Sequence, residues 1–399
     1  MTELKYWLWL SLSLHQNSRK ITTLLERFDT PLDIYNAKKE DFYGFENLTP
    51  RDVRQLANKN LKKTETVMED CRKLGIRIMT FDSPYYPKRL ANIFDPPYVL
   101  YVKSRERLDL NETLPIAVIG TRKSTPYGRA VARQLSEDLA RAGVLVVSGL
   151  ARGGDGAAHM GALRGGGKTV AVLGCGLDTV YPPEHDELCL AVAENGMVIS
   201  EYPPGTAPLQ KNFPVRNRII SGLAAGMVVT EAPGRSGTLI TASNALEQGR
   251  DIFAVPGNIT DPNYAGCNQL IQEGAHLVTS ALDVISEYRE EYIHIFEKAV
   301  QTEHTTVTEI SGGNNVPREE NAGDTPTASK APKIIHEIYQ NLPDEEQKIL
   351  DCLSITPTHV DTLSEKTGLR PEVLNATLTM LEMKGLIKQI AGRHFLLNV

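Results

Sequence analysis

Seven basic side chains follow the ends of short, β-branched runs. Arg122 and Lys123 follow IAVIG (Ile116–Gly120), and Arg152 follows VLVVSG (Val144–Gly149). Lys211, Arg216 and Arg218 follow GMVIS (Gly196–Ser200), and Arg235 follows GMVVTEA (Gly226–Ala232). If the runs are parallel strands, all these residues lie on the carboxyl edge of one sheet, where open α/β sheets bind ligands. The chemistry of such a cluster is anion binding. Phe213 and Asn217 sit among the cations of KNFPVRNRIISG (Lys211–Gly222), a stretch without carboxylate or histidine. A ring in that company can stack a base, worth about 1–3 kcal/mol, and arginine can grip a phosphate with two nitrogens. The same ring can instead pack beneath its loop as an apolar anchor. Gly120, Gly149, Gly153 and Gly237 mark the turns GTRKSTPYG, SGLARGG and GRSGT, each between a strand and a helix. Bare N–H groups at such turns can face phosphate, although each turn alone can equally be an ordinary tight connection.

Groups suited to catalysis are sparse. Asp155, His159, Glu201, Glu231 and Ser236 are the candidates, but no HExxH, nucleophile elbow or P-loop lysine accompanies them. Asp155 and His159 share a helix face and read as a packed or capping pair as well as an acid–base pair. Glu201 and Glu231 end strands, where Arg218 or Arg235 can pair with them. GCGLD (Gly174–Asp178) lacks the third glycine of a dinucleotide fingerprint. Five cysteines (Cys71, Cys175, Cys189, Cys267, Cys352) form no CxxC pair, which argues against zinc or a disulfide framework and fits a reducing cytoplasm. No catalytic residue, metal or cofactor is therefore expected.

The elements that position these residues divide the chain. Residues 1–70 carry short helical periodicities punctuated by Pro31 and Pro50. From 71 to 290, nearly uninterrupted apolar runs, including TVAVLG (Thr169–Gly174) and DIFAVPG (Asp251–Gly257), alternate with helical stretches. That pattern predicts a doubly wound, mostly parallel α/β sheet buried on both faces. A polar stretch rich in Thr, Asn, Gly and Pro reads as a linker over 291–340. Residues 341–399 read as three helices and a β-hairpin, a winged-helix pattern.

Across 399 residues, 43 Lys and Arg against 49 Asp and Glu give a net charge of −6. A polyanion site must then be local rather than global. The opening KYWLWLSLSL reads as an amphipathic or buried helix, and no run has the about 18 apolar residues that cross a bilayer.

Five stretches in order, GTRKSTPYG, SGLARGGDGAAHMGAL, TVAVLGCGLDTVYPPEH, SEYPPGTAPLQKNFPVRNRIISGL and VVTEAPGRSGTLITASNALEQGRDIFAVPG, resemble the DNA-processing protein A (DprA, or Smf) family. The resemblance covers about Thr80 to Asp283. It implies an extended Rossmann-like domain that binds single-stranded DNA without sequence preference, a homodimer, and delivery of strands to the RecA recombinase in natural transformation. Carried over, the DNA-contacting arginine of the family's G-x-R turn falls on Arg122. The loop cation and aromatic fall on Lys211, Phe213, Arg216 and Arg218, and Lys168 matches a further basic position. The family's N-terminal domain often has a SAM or helix–hairpin–helix character with a glycine in its turn, where this chain has SLHQNSRKITTLL. That departure points to packing or regulation there. Around PGRSGTLIT the chain also resembles cytokinin-type phosphoribohydrolases, yet Thr241 stands where they need a glutamate.

The expected function is a cytoplasmic single-strand DNA-binding, recombinase-loading protein. The alternatives are a nucleotide or nucleotide-sugar enzyme of the same fold, and a nucleotide-sensing regulator of duplex DNA.

Overall fold

A computed structural model describes residues 3–300, 346–349, 353, 358–383, 387–390 and 394–397. Its chain divides into two compact units, Met1–Asn314 and Asn315–Val399.

In the first unit, helices Leu4–Ser13, Ser18–Leu25, Pro31–Asn36, Pro50–Ala57 and Lys62–Lys73 open the chain. Their starts follow capping chemistry. Asn17 accepts from the Lys20 N–H, and Thr49 and Asp52 form a reciprocal box ahead of Pro50. The run Trp7–Leu12 is wholly buried, so the opening helix is a core element.

Nine strands follow in one sheet: β1 (Arg77–Thr80), β2 (Val99–Lys103), β3 (Pro115–Ile119), β4 (Leu145–Ser148), β5 (Thr169–Leu173), β6 (Met197–Ser200), β7 (Gly226–Val229), β8 (Asp251–Ala254) and β9 (His276–Leu277). Their order is β1-β2-β6-β5-β4-β3-β7-β8-β9. Pairing is parallel from β6 to β9, while β2 runs antiparallel to β1 and β6. After β3 the chain winds outward to β6, then crosses back to place β7 on the other side of β3. The crevice of this doubly wound sheet therefore opens at the carboxyl ends of β3 and β7.

Alternation along β3 sends Ala117 and Ile119 to one apolar layer and Ile116 and Val118 to the other. Ala171 and Leu173 of β5 share a core with Trp7, Leu10 and Leu24, so the N-terminal helices and the sheet are one packed body. The expected linker starts later than residue 291. Residues 293–300 are helical, and Tyr292, Ile295 and Ala299 are buried against the helix Pro126–Ala142 side of the core. The expected linker from 301 onward lies outside the described residues.

In the second unit, helices Val360–Thr367 and Pro371–Met383 precede strands Ile387–Ile390 and His394–Leu397, which form an antiparallel hairpin. Thr358–His359 adds a third strand to it. Leu363, Leu374, Leu378, Ile387 and Phe395 make its core. The architecture is a winged helix.

Candidate nucleic-acid interface

The turns after β3 and β7 close on each other. Thr121 N–H donates to the Glu231 carbonyl at 2.9 Å, and Thr230 N–H to the Ile119 carbonyl at 3.0 Å. Glu231 is buried and accepts from the Thr125 N–H at 2.9 Å and its hydroxyl at 3.0 Å, so it caps the helix Pro126–Ala142 rather than meeting Arg235. Between these turns lies a cavity of about 390 Å³ lined by Gly120, Arg122, Phe213, Asn217, Gly237 and Thr241, among others. It occupies the topological switch point.

Phe213 stands at its mouth. The ring is half-buried, packs 5.3 Å from the Tyr181 ring, and carries the Arg122 guanidinium 5.1 Å from its centre. The Arg216 guanidinium lies 6.0 Å from the same centre. Arg122 is exposed. Lys123, Lys211 and Arg235 are also exposed, each next in the chain to a residue of the cavity wall. None of these four cations makes an ion pair among the described residues. Asn217 turns inward, donating from Nδ2 to Thr241 Oγ1 at 2.8 Å, and the Thr241 hydroxyl donates to the Gly237 carbonyl at 3.0 Å.

Arg216 has a different task. It is 3% exposed and donates to the carbonyls of Gly149, at 2.7 Å, and Val172. Burial pushes its pKa down to about 10, opposed by Asp155, so it remains charged at neutral pH. Burial raises Asp155 above the usual carboxylate range, while Arg216 and the N–H groups of Gly120 and Ala151 oppose that rise. One N–H from each of the first two turns, those of Gly120 and Ala151, already serves this internal carboxyl group, which corrects the expectation that the Gly120 N–H is kept for phosphate.

The glycines themselves answer to packing. A Cβ on Gly149 would lie 2.7 Å from Asp155 Oδ2 and 2.8 Å from Arg216 Nη2. One on Gly153, where φ is +79°, would lie 2.3 Å from the Thr121 carbonyl oxygen. One on Gly120 would lie 2.7 Å from Thr230 Oγ1 and 3.2 Å from Gly154 Cα. Gly237 alone of the four is in open space, on the cavity wall.

Two further expectations are corrected. Arg218 is 8% exposed and bonds Glu201 at 2.6 Å and Asp95 at 3.0 Å, so its charge is matched inside the protein. Lys168 precedes β5 and lies on the amino edge of the sheet, beside Arg105 and Glu194, away from the cavity. Arg152 lies near Phe213 in an adjoining recess with Tyr181, and its exposed guanidinium forms an ion pair with Glu184 at 2.9 Å. His159 does not face Asp155. Its Nδ1 lies 2.8 Å from Thr169 Oγ1, whose proton goes to the Val146 carbonyl, so the imidazole donates there and is a buried neutral group. The residues that sequence reasoning missed are Tyr181 and Gln210, which shape the mouth; only the aromatic of YPPEH signals the first.

Residues 77–289 match the family model for DNA recombination-mediator protein A, and residues 336–393 match the DprA winged helix domain. The chain belongs to the DNA recombination-mediator protein A family. It is 41% identical over 235 residues to the DNA processing protein DprA of Bacillus subtilis, covering 59% of this chain and 79% of that one. It is 35% identical over 349 residues to Protein Smf of Escherichia coli, covering 87% and 84%. The crystal structure of DprA from Streptococcus pneumoniae superposes with a TM-score of 0.62 at 38% identity, covering 71% of this chain and 96% of that one. Membership makes this a DNA-processing protein with the family's mixed α/β fold and winged helix. No described helix is long and apolar enough to cross a membrane.

Proposed function

We propose that this protein binds single-stranded DNA without sequence preference across the carboxyl edge of its sheet. Arg122, Lys123, Lys211 and Arg235 meet the phosphates, and one base stacks at Phe213. The observation that carries the reading is the exposed Arg122 guanidinium poised 5.1 Å over the Phe213 ring at the cavity mouth. A stack and a phosphate contact offered side by side suit a nucleotide within a strand. Arg216 and Asp155 act from below, holding the turns and the ring-bearing helix in place. The protein works in the cytoplasm as a homodimer that delivers the bound strand to the RecA recombinase. It holds DNA and does not cut it: Thr241 occupies the position where related hydrolases need a glutamate, and its hydroxyl is engaged with Asn217 and Gly237.

Competition binding tests the reading. A labelled oligothymidylate is displaced by unlabelled single strand and only weakly by duplex of equal length or by a mononucleotide. Tight binding or turnover of the mononucleotide would assign the cavity to an enzyme instead.

A further inference from the structure

Phe94 is 78% exposed, the most exposed aromatic among the described residues, and the Arg19 guanidinium lies 4.9 Å from its ring centre. Arg19 is itself exposed and makes no ion pair among the described residues. Such a ring in water forgoes burial, yet its flanks are fixed. Asp95 accepts from Arg218 Nε at 3.0 Å, and Ser18 Oγ lies 3.3 Å from Arg218 Nη2. Ile93 is buried against Gly222, where an added Cβ would lie 3.1 Å from its Cγ2. One side chain, Arg218, thus clamps the neighbours of both Arg19 and Phe94 to the helix Asn212–Leu223 that carries Phe213.

That helix also supplies a route. Lys211, Val215, Arg218 and Gly222 follow at spacings of four, three and four, so they share one face. At the cradle end Lys211 and Val215 are exposed; at the far end Arg218 and Gly222 hold Asp95 and Ile93. From Lys211 to Arg218 the axis advances about 10 Å. We infer that the Arg19–Phe94 pair is a second contact for the same DNA strand, with a base stacked on the open face of Phe94 and a phosphate on Arg19. The pairing of ring and guanidinium repeats that of Phe213 and Arg122, and an exposed cation beside an open π-face matches the chemistry of an unpaired strand. The N-terminal helices, which lack a glycine hairpin turn, would contribute through this platform.

The inference rests on the cradle reading, and strand length separates the two. Fluorescence polarisation compares oligothymidylates of about six and about twenty nucleotides on the full chain and its variants. Phe94→Ala should bind the long strand about tenfold more weakly, the loss of one stacked base, and the short strand as the parent does. Phe94→Trp should restore the long-strand affinity, and Arg19→Glu should lose it. Arg122→Ala should weaken both lengths. If Phe94→Ala matches the parent on both strands, the platform is overturned and the ring is left to a protein partner. Equal loss on both lengths without rescue by tryptophan overturns it too, as a defect of folding. If Arg122→Ala binds as the parent does, the cradle reading fails, whatever Phe94 shows.

Discussion

Arg216 and Arg218 leave one helix about 200° apart, and both are buried. The first, its guanidinium 6.0 Å from the centre of the Phe213 ring, reaches the carbonyls of Gly149 and Val172, and the second turns to Glu201 and Asp95. A stretch that reads as three loop cations therefore exposes one, Lys211. The others build the platform on which the exposed cations stand.

Replacing Arg218 tests that division. Arg218→Met leaves Glu201 buried without its cation, a change that costs about 3–5 kcal/mol. The midpoint of denaturant unfolding should fall accordingly, while the folded protein keeps its affinity for a short oligothymidylate. Unchanged stability with lost short-strand affinity would return Arg218 to the DNA contact.

Phe213→Ala should weaken oligothymidylate binding by about 1–3 kcal/mol, read as Kd by polarisation. Phe213→Tyr should retain most of the affinity, since the ring persists against Tyr181. Equal loss in both variants would make the phenyl an anchor of its helix only.

Burial holds His159 neutral, with a pKa lowered from 6.5 to about 3, and its neighbours His185 and Arg216 act in the same direction. The unfolded chain then binds the extra proton between those two values. Stability must fall as the pH drops from about 6.5 toward 3, with a slope of about 1.4 kcal/mol per pH unit from this group. In urea melts across that range, His159→Gln should show a shallower decline than the parent. Parallel curves would mean that the imidazole titrates alike folded and unfolded.

The fold is largely legible in the chain because buried parallel strands are nearly unbroken apolar runs, as in IAVIG and TVAVLG. Convergence on one edge follows from the winding, which brings Arg122 beside Phe213 across 91 positions, the difference of their numbers. What the chain conceals is which cations are already matched. Asp155 is remote in sequence from Arg216, Asp95 and Glu201 flank Arg218 from separate elements, and only packing reveals these partners. Lys168 misleads for the opposite reason: it precedes its strand, and a parallel strand's start and end lie on opposite edges of the sheet.

The salt dependence of binding a short oligothymidylate of about six nucleotides, too short to reach Arg19, addresses the central claim most directly. Four exposed cations neutralising four phosphates give a slope of log affinity against log salt of about −3, and Arg122→Ala should reduce its magnitude by about 0.7. A slope near zero, or one that Arg122→Ala leaves unchanged, would contradict a phosphate-binding rim at this edge.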